Sequence, residues 1–135
     1  MLTRRSALKT AAALAVPFAW RLSAAPSETV RHASFGAGGR ALADIKALAT
    51  HKHLKLTAIC DVDSDRLAAC LKLFPDATPY SDWRVLLEKE KLDSVNVSTP
   101  EHMHAPIAMS ATNRGLPASC QKPLTHPIHE TRRMA

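Results

Sequence analysis

Short β-rich runs alternate with longer runs of helical periodicity along most of this chain. The strand-like runs are VRHASF (30–35), LKLTAIC (54–60), DSVNVS (93–98) and ASCQ (118–121). Between the first two, apolar residues recur at helical spacing over 40–50, and a second helix is predicted over 65–74. This alternation is typical of βαβ units, whose crossover helices return the chain to the same end of a sheet. The sequence therefore predicts an α/β fold with a Rossmann-like, doubly wound parallel sheet.

The later elements are predicted from their boundary residues. Ser81 is expected to cap a helix with Trp83, Leu86 and Leu87 on its apolar side. A polar loop over 98–105 is expected before a helix that ends near Gly115. The residues from 125 onward predict the start of a helix that the chain does not complete, so the sheet domain over 30–135 is expected to be incomplete at its C-terminus.

The N-terminus has the features of a targeting signal. A basic start is followed by an apolar run over 11–20 and by small residues at 23–25, where a signal peptidase can cut. The segment TRRSALK resembles the twin-arginine signal, with a general secretory signal or an amphipathic helix as alternatives. We expect a signal peptide over 1–25, a linker over 26–29, no permanent membrane span and a periplasmic location.

The positive charge is concentrated in that N-terminal segment. Four of the 18 basic residues and none of the 12 acidic ones lie in the first 24 residues, which leaves fourteen basic residues against twelve acidic ones. Aromatic residues, on which bases would stack, make up only 4% of the chain. A nearly balanced remainder without aromatic platforms does not favour nucleic acid as a partner.

Histidine and cysteine patterns do not predict a metal site. His102 and His104 form an H-x-H pair, but no third ligand with suitable spacing is visible, and His51 and His53 repeat the same spacing in a loop. Histidines that cap a helix and face water are the simpler interpretation. The three cysteines have neither CxxC spacing nor an even number, so we assign them no chemistry and expect no metal.

The segment SFGAGGRALAD contains a glycine pattern between a predicted strand and a predicted helix. Gly36, Gly38 and Ala41 match G-x-G-x-x-G/A, in which the glycines allow a tight turn and a close approach to a pyrophosphate at the helix N-terminus. Asp61 ends the second strand, where an acid can accept hydrogen bonds from ribose hydroxyls, so NAD is favoured over NADP. Arg66 is a cation within reach of a 2′-phosphate, so NADP stays open as the cofactor. The alternative interpretation of the whole motif is a glycine-rich turn that binds no ligand.

Four motifs in this order resemble the N-terminal half of the glucose-fructose oxidoreductase, inositol dehydrogenase and rhizopine-catabolism family, abbreviated Gfo/Idh/MocA. They are GAGGRA at 36–41, CDVD at 60–63, STPEHMH at 98–104 and CQKP at 120–123. The resemblance implies a dinucleotide site, with NAD or NADP as cofactor. The residues it assigns to cofactor binding are Gly36, Gly38, Gly39, Arg40, Ala41, Asp61, Ser98, Thr99, Pro100, His104, Gln121, Lys122 and Pro123.

The resemblance also implies a role for the Lys-Pro step. The E-K-P motif of the family falls on Gln121, Lys122 and Pro123, so Lys122 is expected to be catalytic and to position or protonate a substrate hydroxyl or ketone. A cis peptide is expected before Pro123. Gln121 departs from the more usual glutamate, and the effect of this change on Lys122 is left open.

The resemblance implies a second α/β domain after the Lys-Pro motif, and we expect the 135 residues of this sequence to lack a counterpart of it. The resemblance therefore implies the nucleotide-binding portion of an exported NAD(P)-dependent oxidoreductase for a sugar, sugar derivative or polyol. A carbohydrate-like substrate is expected only if a second domain is present, because one wall alone cannot position it. The alternatives are a catalytically inactive, truncated remnant that at most binds a dinucleotide, and a metal- or nucleic-acid-binding module.

Overall fold

The computed structural model describes residues 28–134, which form a five-stranded parallel sheet flanked by helices. The strands are β1 (Val30–Phe35), β2 (Leu54–Cys60), β3 (Thr78–Tyr80), β4 (Ser94–Val97) and β5 (Ala118–Cys120). Their order is β3-β2-β1-β4-β5, and every neighbouring pair is parallel. The predicted Rossmann-like fold is confirmed. The strand order reverses between β1 and β4, and ligands of such sheets bind beyond the carboxyl ends of the strands at this point.

Helices cover both faces of the sheet. The five α-helices are α1 (Gly39–Leu48), α2 (Ser64–Leu71), α3 (Trp83–Lys89), α4 (His104–Thr112) and α5 (Ile128–Met134), and a 3-10 turn spans Glu101–Met103. Ile45 of α1 and Cys70 of α2 pack with Ile59 in one core cluster. Leu86 of α3 and Ile107 of α4 belong to the other cluster. Helices α1 and α2 therefore cover one face of the sheet, and α3 and α4 cover the other.

The alternation within β1 divides apolar from polar side chains. Ala33 and Phe35 are fully buried in the core cluster that α3 and α4 cover. His32 and Ser34 have the opposite parity, so their side chains lie on the other face, and both are also buried. A half-polar strand of this kind is stable because its buried polar groups are hydrogen-bonded.

Several predicted boundaries are wrong by a few residues. Asp82 rather than Ser81 caps α3, accepting from the Arg84 N–H at 2.9 Å. Helix α2 ends at Leu71, short of the predicted position 74. The predicted loop over 98–105 contains the 3-10 turn, and α4 already begins at His104. Pro106 does not prevent this, because the N–H groups of a first helical turn have no intrahelical partner to lose.

An ion pair joins β1 to the start of β4 at the amino edge of the sheet. The Arg31 guanidinium donates to both oxygens of Asp93 at 2.9 and 3.0 Å, and the Arg31 backbone N–H donates to the same carboxylate at 2.9 Å. These bonds lower the pKa of Asp93 to about 2. The pair lies at the end of the sheet opposite to the predicted ligand site, so its role is structural.

The predicted signal peptide over 1–25 and the first half of the linker lie outside the described residues. Within 28–134 no helix is long and apolar enough to cross a membrane. The expectation of export remains a prediction from the sequence.

Candidate functional site

The glycine turn lies between β1 and α1 and is tightly packed. Gly36 has φ +102°, and a Cβ at this position would lie 2.8 Å from the Ser98 carbonyl oxygen and 2.9 Å from the Ala41 Cβ. Ala41 is itself almost fully buried. A small side chain at position 41 and none at position 36 therefore allow α1 to approach the end of β1 and the loop after β4.

Helix α1 begins directly after this turn. Gly38 is the N-cap, and no side chain caps the helix, so its first N–H groups are available to an anion. The Arg66 side chain occupies the space beside Gly38, since a Cβ at position 38 would lie 2.8 Å from the Arg66 Cδ. Gly39 has φ +51°, and a Cβ at this position would meet nothing within 4 Å. Backbone N–H groups are therefore free of side-chain caps at the position where the sequence predicts a pyrophosphate.

Asp61 follows β2 and turns its carboxylate toward the glycine turn. Its two oxygens accept from the Ala37 N–H at 2.7 Å and from the Asp63 N–H at 3.0 Å. Each carboxylate oxygen has a second lone pair that remains available to a hydroxyl. Asp63 caps α2 and holds Arg66 at 3.1 Å, so the acid and the cation expected near a ribose lie on one short segment. This geometry fits a ribose-binding acid.

A cleft of about 530 Å³ opens at the carboxyl ends of β4 and β5. Its wall consists of Arg40 from α1, residues 98–101 and His104 after β4, and Gln121 and Lys122 after β5. Lys122 is exposed, and the Lys122–Pro123 peptide is cis, as expected. Seven predicted residues thus line one cleft with Glu101, which was not predicted. Pro123, Ala41, Asp61 and the glycines lie outside its wall.

His104 is almost fully buried and has two protein partners. Its Nδ1 lies 2.7 Å from the Pro123 carbonyl oxygen, and its Nε2 lies 2.8 Å from the Thr99 carbonyl oxygen. A ligand can reach either ring nitrogen only by replacing one of these contacts. His104 therefore fastens the loop after β4 to the Lys-Pro step.

Thr99 presents a polar atom without a partner next to the cleft. Its Oγ1 is buried and has no hydrogen bond among the described residues. A buried hydroxyl without a partner destabilises the protein by about 1–3 kcal/mol, and a bound ligand can supply the missing partner. Together with the glycine cradle, this atom shows that the residues present fit a dinucleotide.

A polar network behind the cleft was missed from the sequence. Asp44 on α1 accepts from Ser98 and from Gln121 and pairs with Arg40. Its spacing of four residues from Arg40 on a helix is a signal that could have indicated the ion pair. The contacts across the sheet involve residues far apart in sequence and have no local signal.

The remaining candidate groups do not form a reactive cluster. His102 is exposed whereas His104 is buried, so the H-x-H pair does not converge. Among residues 28–134 no group of three or more His, Cys, Asp or Glu side chains could hold a metal ion. Burial raises the pKa of the Cys60 thiol to about 12, so this cysteine is a poor nucleophile.

Comparisons with known proteins identify the family of this domain. The sequence profile described as "Oxidoreductase family, NAD-binding Rossmann fold" (Gfo/Idh/MocA) matches residues 30–135. Inositol 2-dehydrogenase of Arthrobacter sp. (strain FB24) is 33% identical over 100 residues, which are 73% of this chain and 30% of that protein. The chain therefore spans about a third of the length of such relatives.

Solved structures share the fold. Myo-inositol 2-dehydrogenase from Lactobacillus plantarum superposes with a TM-score of 0.74 at 26% identity, covering 78% of this chain and 32% of that one. An oxidoreductase from Agrobacterium radiobacter in complex with NAD+, L-tartaric acid and magnesium gives 0.73 at 28% identity, covering 78% and 31%. The NAD-binding expectation agrees with the family, and the chain belongs to the Gfo/Idh/MocA oxidoreductases through its NAD-binding Rossmann fold.

Proposed function

We propose that residues 30–135 form the NAD-binding part of an NAD(P)-dependent oxidoreductase that acts on a sugar, a sugar derivative or a polyol. The observation that carries the proposal is the cleft of about 530 Å³, which brings Lys122 beside the loop after β4 at the switch point of the sheet. The relatives support the substrate class, since they include inositol 2-dehydrogenase and D-apiose dehydrogenase.

The chain's own residues divide the work of binding. The uncapped N-terminus of α1 and the glycine turn would hold the pyrophosphate through backbone N–H groups. Asp61 would accept from the ribose hydroxyls, and its negative charge disfavours a 2′-phosphate, which supports NAD over NADP. The loop containing Thr99 and Pro100 would line the path toward the nicotinamide end.

Lys122 would handle the proton of the reaction. A bound dinucleotide would supply the redox chemistry, with NAD+ as hydride acceptor in alcohol oxidation and NADH as hydride donor in ketone reduction. Oxidation of an alcohol also releases the hydroxyl proton, which the Lys122 amino group would accept, and in the reduction of a ketone Lys122 would return that proton. The exposure of Lys122 in the described residues leaves room for a substrate beside it.

A two-stage experiment tests this proposal. NAD+ and NADP+ are first titrated into the purified chain by calorimetry, with Gly36→Ala as a binding-deficient variant. Reduction of NAD+ at 340 nm is then followed with a panel of inositols, pentoses and hexoses. We expect NAD+ binding that Gly36→Ala weakens, and any turnover to be lost in Lys122→Met. Absence of dinucleotide binding by the wild-type chain would refute the proposal.

The second candidate is a chain that binds a dinucleotide without turnover. It is favoured by the exposure of Lys122, which admits water as readily as a substrate. A hydride-transfer site must exclude water and orient the substrate, and the residues described supply only one wall for that purpose. Binding of NAD+ with no oxidation of any compound in the panel would support this candidate.

We further propose export by the twin-arginine route to the periplasm. The support is the sequence TRRSALK followed by an apolar run and small residues. Replacement of Arg4 and Arg5 by lysine should retain the chain in the cytoplasm, whereas the wild-type chain should be recovered from the periplasm. Periplasmic recovery of both forms would instead support the general secretory route.

A further inference from the structure

Asp44 lies behind the wall of the cleft and contacts three segments of that wall. Its side chain is 15% exposed. Oδ1 pairs with the Arg40 Nε at 2.9 Å, while Oδ2 accepts from the Ser98 hydroxyl and from the Gln121 amide, each at 2.8 Å. Arg40, Ser98 and Gln121 all line the cleft, but Asp44 itself does not. One carboxylate thus joins α1 to the loops after β4 and β5.

The hydrogen bonds around Asp44 all run toward its carboxylate. A carboxylate only accepts hydrogen bonds, and bonds to a charged acceptor are about twice as strong as neutral ones. The Ser98 hydroxyl, while donating to Asp44, accepts from the Asn96 amide at 3.2 Å. Asn96 in turn has its Oδ1 3.0 Å from the buried His32 ring. The Asp44 carboxylate is therefore the last acceptor in a chain of hydrogen bonds that begins at His32 inside the sheet. This chain holds the carboxylate in place.

Gln121 is held at two points immediately before Lys122. Its backbone N–H donates to the Val97 carbonyl oxygen at 2.9 Å, and its side-chain amide donates to Asp44. A glutamate at this position would place two carboxylates within hydrogen-bond distance of each other. The amide at 121 and the acid at 44 are thus matched, which gives a physical reason for the departure from E-K-P.

We propose that Asp44 is a positioning residue of the cofactor cleft. Through its hydrogen bond with Gln121 it fixes the direction in which Lys122 leaves β5. Through its ion pair it orients Arg40. This inference rests on the proposed function, because the space that Arg40 and Lys122 line is the space assigned there to the dinucleotide. Arg40 and Lys122 are the two cations of the cleft wall. Asp44 does not touch the ligand, and its effect passes through these neighbours.

A charge swap tests the inference. Asp44→Asn and Gln121→Glu each break the match, the first by removing the charged acceptor and the second by opposing two carboxylates. The double variant restores the hydrogen bond between the two positions, because the amide introduced at position 44 can donate to the carboxylate introduced at position 121, but it does not rebuild the ion pair with Arg40. We expect each single change to weaken NAD+ affinity about tenfold and the double variant to return to within about threefold of wild type. Asp76→Asn, an exposed acid outside the cleft wall, is the control for loss of charge.

Hydrogen exchange gives a readout that does not depend on binding. The backbone N–H groups of Gln121, Lys122 and Leu124 should exchange faster in Asp44→Asn and Gln121→Glu and recover in the double variant. Unchanged exchange in the single variants, or affinity losses that simply add in the double variant, would overturn the inference. If the wild-type chain binds no NAD+, the proposed function fails, and exchange alone still decides whether Asp44 orders the Lys-Pro step.

Discussion

Replacement of Gly36 by alanine tests whether the glycine turn depends on close packing or only on backbone freedom. The new methyl group would lie 2.8 Å from the Ser98 carbonyl oxygen and 2.9 Å from the Ala41 Cβ, at a φ of +102° that alanine rarely adopts. The backbone strain is about 1–3 kcal/mol, and the overpacking costs a further 1–3 kcal/mol or so. A loss of roughly 2–6 kcal/mol is a large part of the stability of an ordinary domain.

Gly39→Ala is the matched control for the strain alone. Gly39 also has a positive φ, +51°, but a Cβ there would meet nothing within 4 Å. The left-handed conformation costs alanine about 1–2 kcal/mol, and no steric cost is added. The two variants therefore differ by the packing contribution and by any extra strain at φ +102°, and the coupling with Ala41 isolates the packing part.

Urea denaturation followed by tryptophan fluorescence would measure both free energies of unfolding. We expect Gly36→Ala to lose at least about 1 kcal/mol more than Gly39→Ala. A second change, Ala41→Gly, removes one of the two close contacts and should partly restore the Gly36→Ala variant in a double-mutant cycle. Equal losses in the two glycine variants, or no coupling between positions 36 and 41, would refute the argument from packing.

Three further predictions concern buried or paired polar groups. Burial lowers the pKa of His32 below its ordinary 6.5. The stability that neutral His32 contributes is therefore present above pH 6.5 and is lost as the pH falls through the lowered pKa. His32→Gln should flatten the decline in Tm between pH 7.5 and 5, and an equally steep decline in this variant would contradict the assignment. Arg31 lowers the pKa of Asp93 from 3.8 to about 2. The ion pair therefore stabilises the fold above pH 3.8, and this contribution is lost between pH 3.8 and 2. Asp93→Asn should lower Tm at pH 7 but not at pH 2, and a Tm difference that does not change with pH would exclude the ion pair as its cause. Thr99→Val removes a buried hydroxyl without a partner and should raise the Tm of the ligand-free chain while weakening NAD+ affinity in calorimetry; an unchanged affinity would show that this hydroxyl does not serve the ligand.

The sequence predicted the elements that depend on local chemistry. β1 and β2 match the predicted strands residue for residue. The glycine turn was predictable because positive φ and close approach both require a missing side chain, as Gly36 shows. Helix ends were less predictable because neighbouring polar residues, such as Ser81 and Asp82, compete for the same capping position.

The sequence by itself determined the α/β class, the glycine motif and the resemblance to an NAD-binding family, because periodicity and short motifs are local properties of the chain. Only the tertiary structure decided that Asp44 supports Gln121, 77 positions away in the chain, and that His104 joins Thr99 to Pro123. Such contacts arise when parallel strands bring their carboxyl ends together, and no local pattern specifies which side chains then meet.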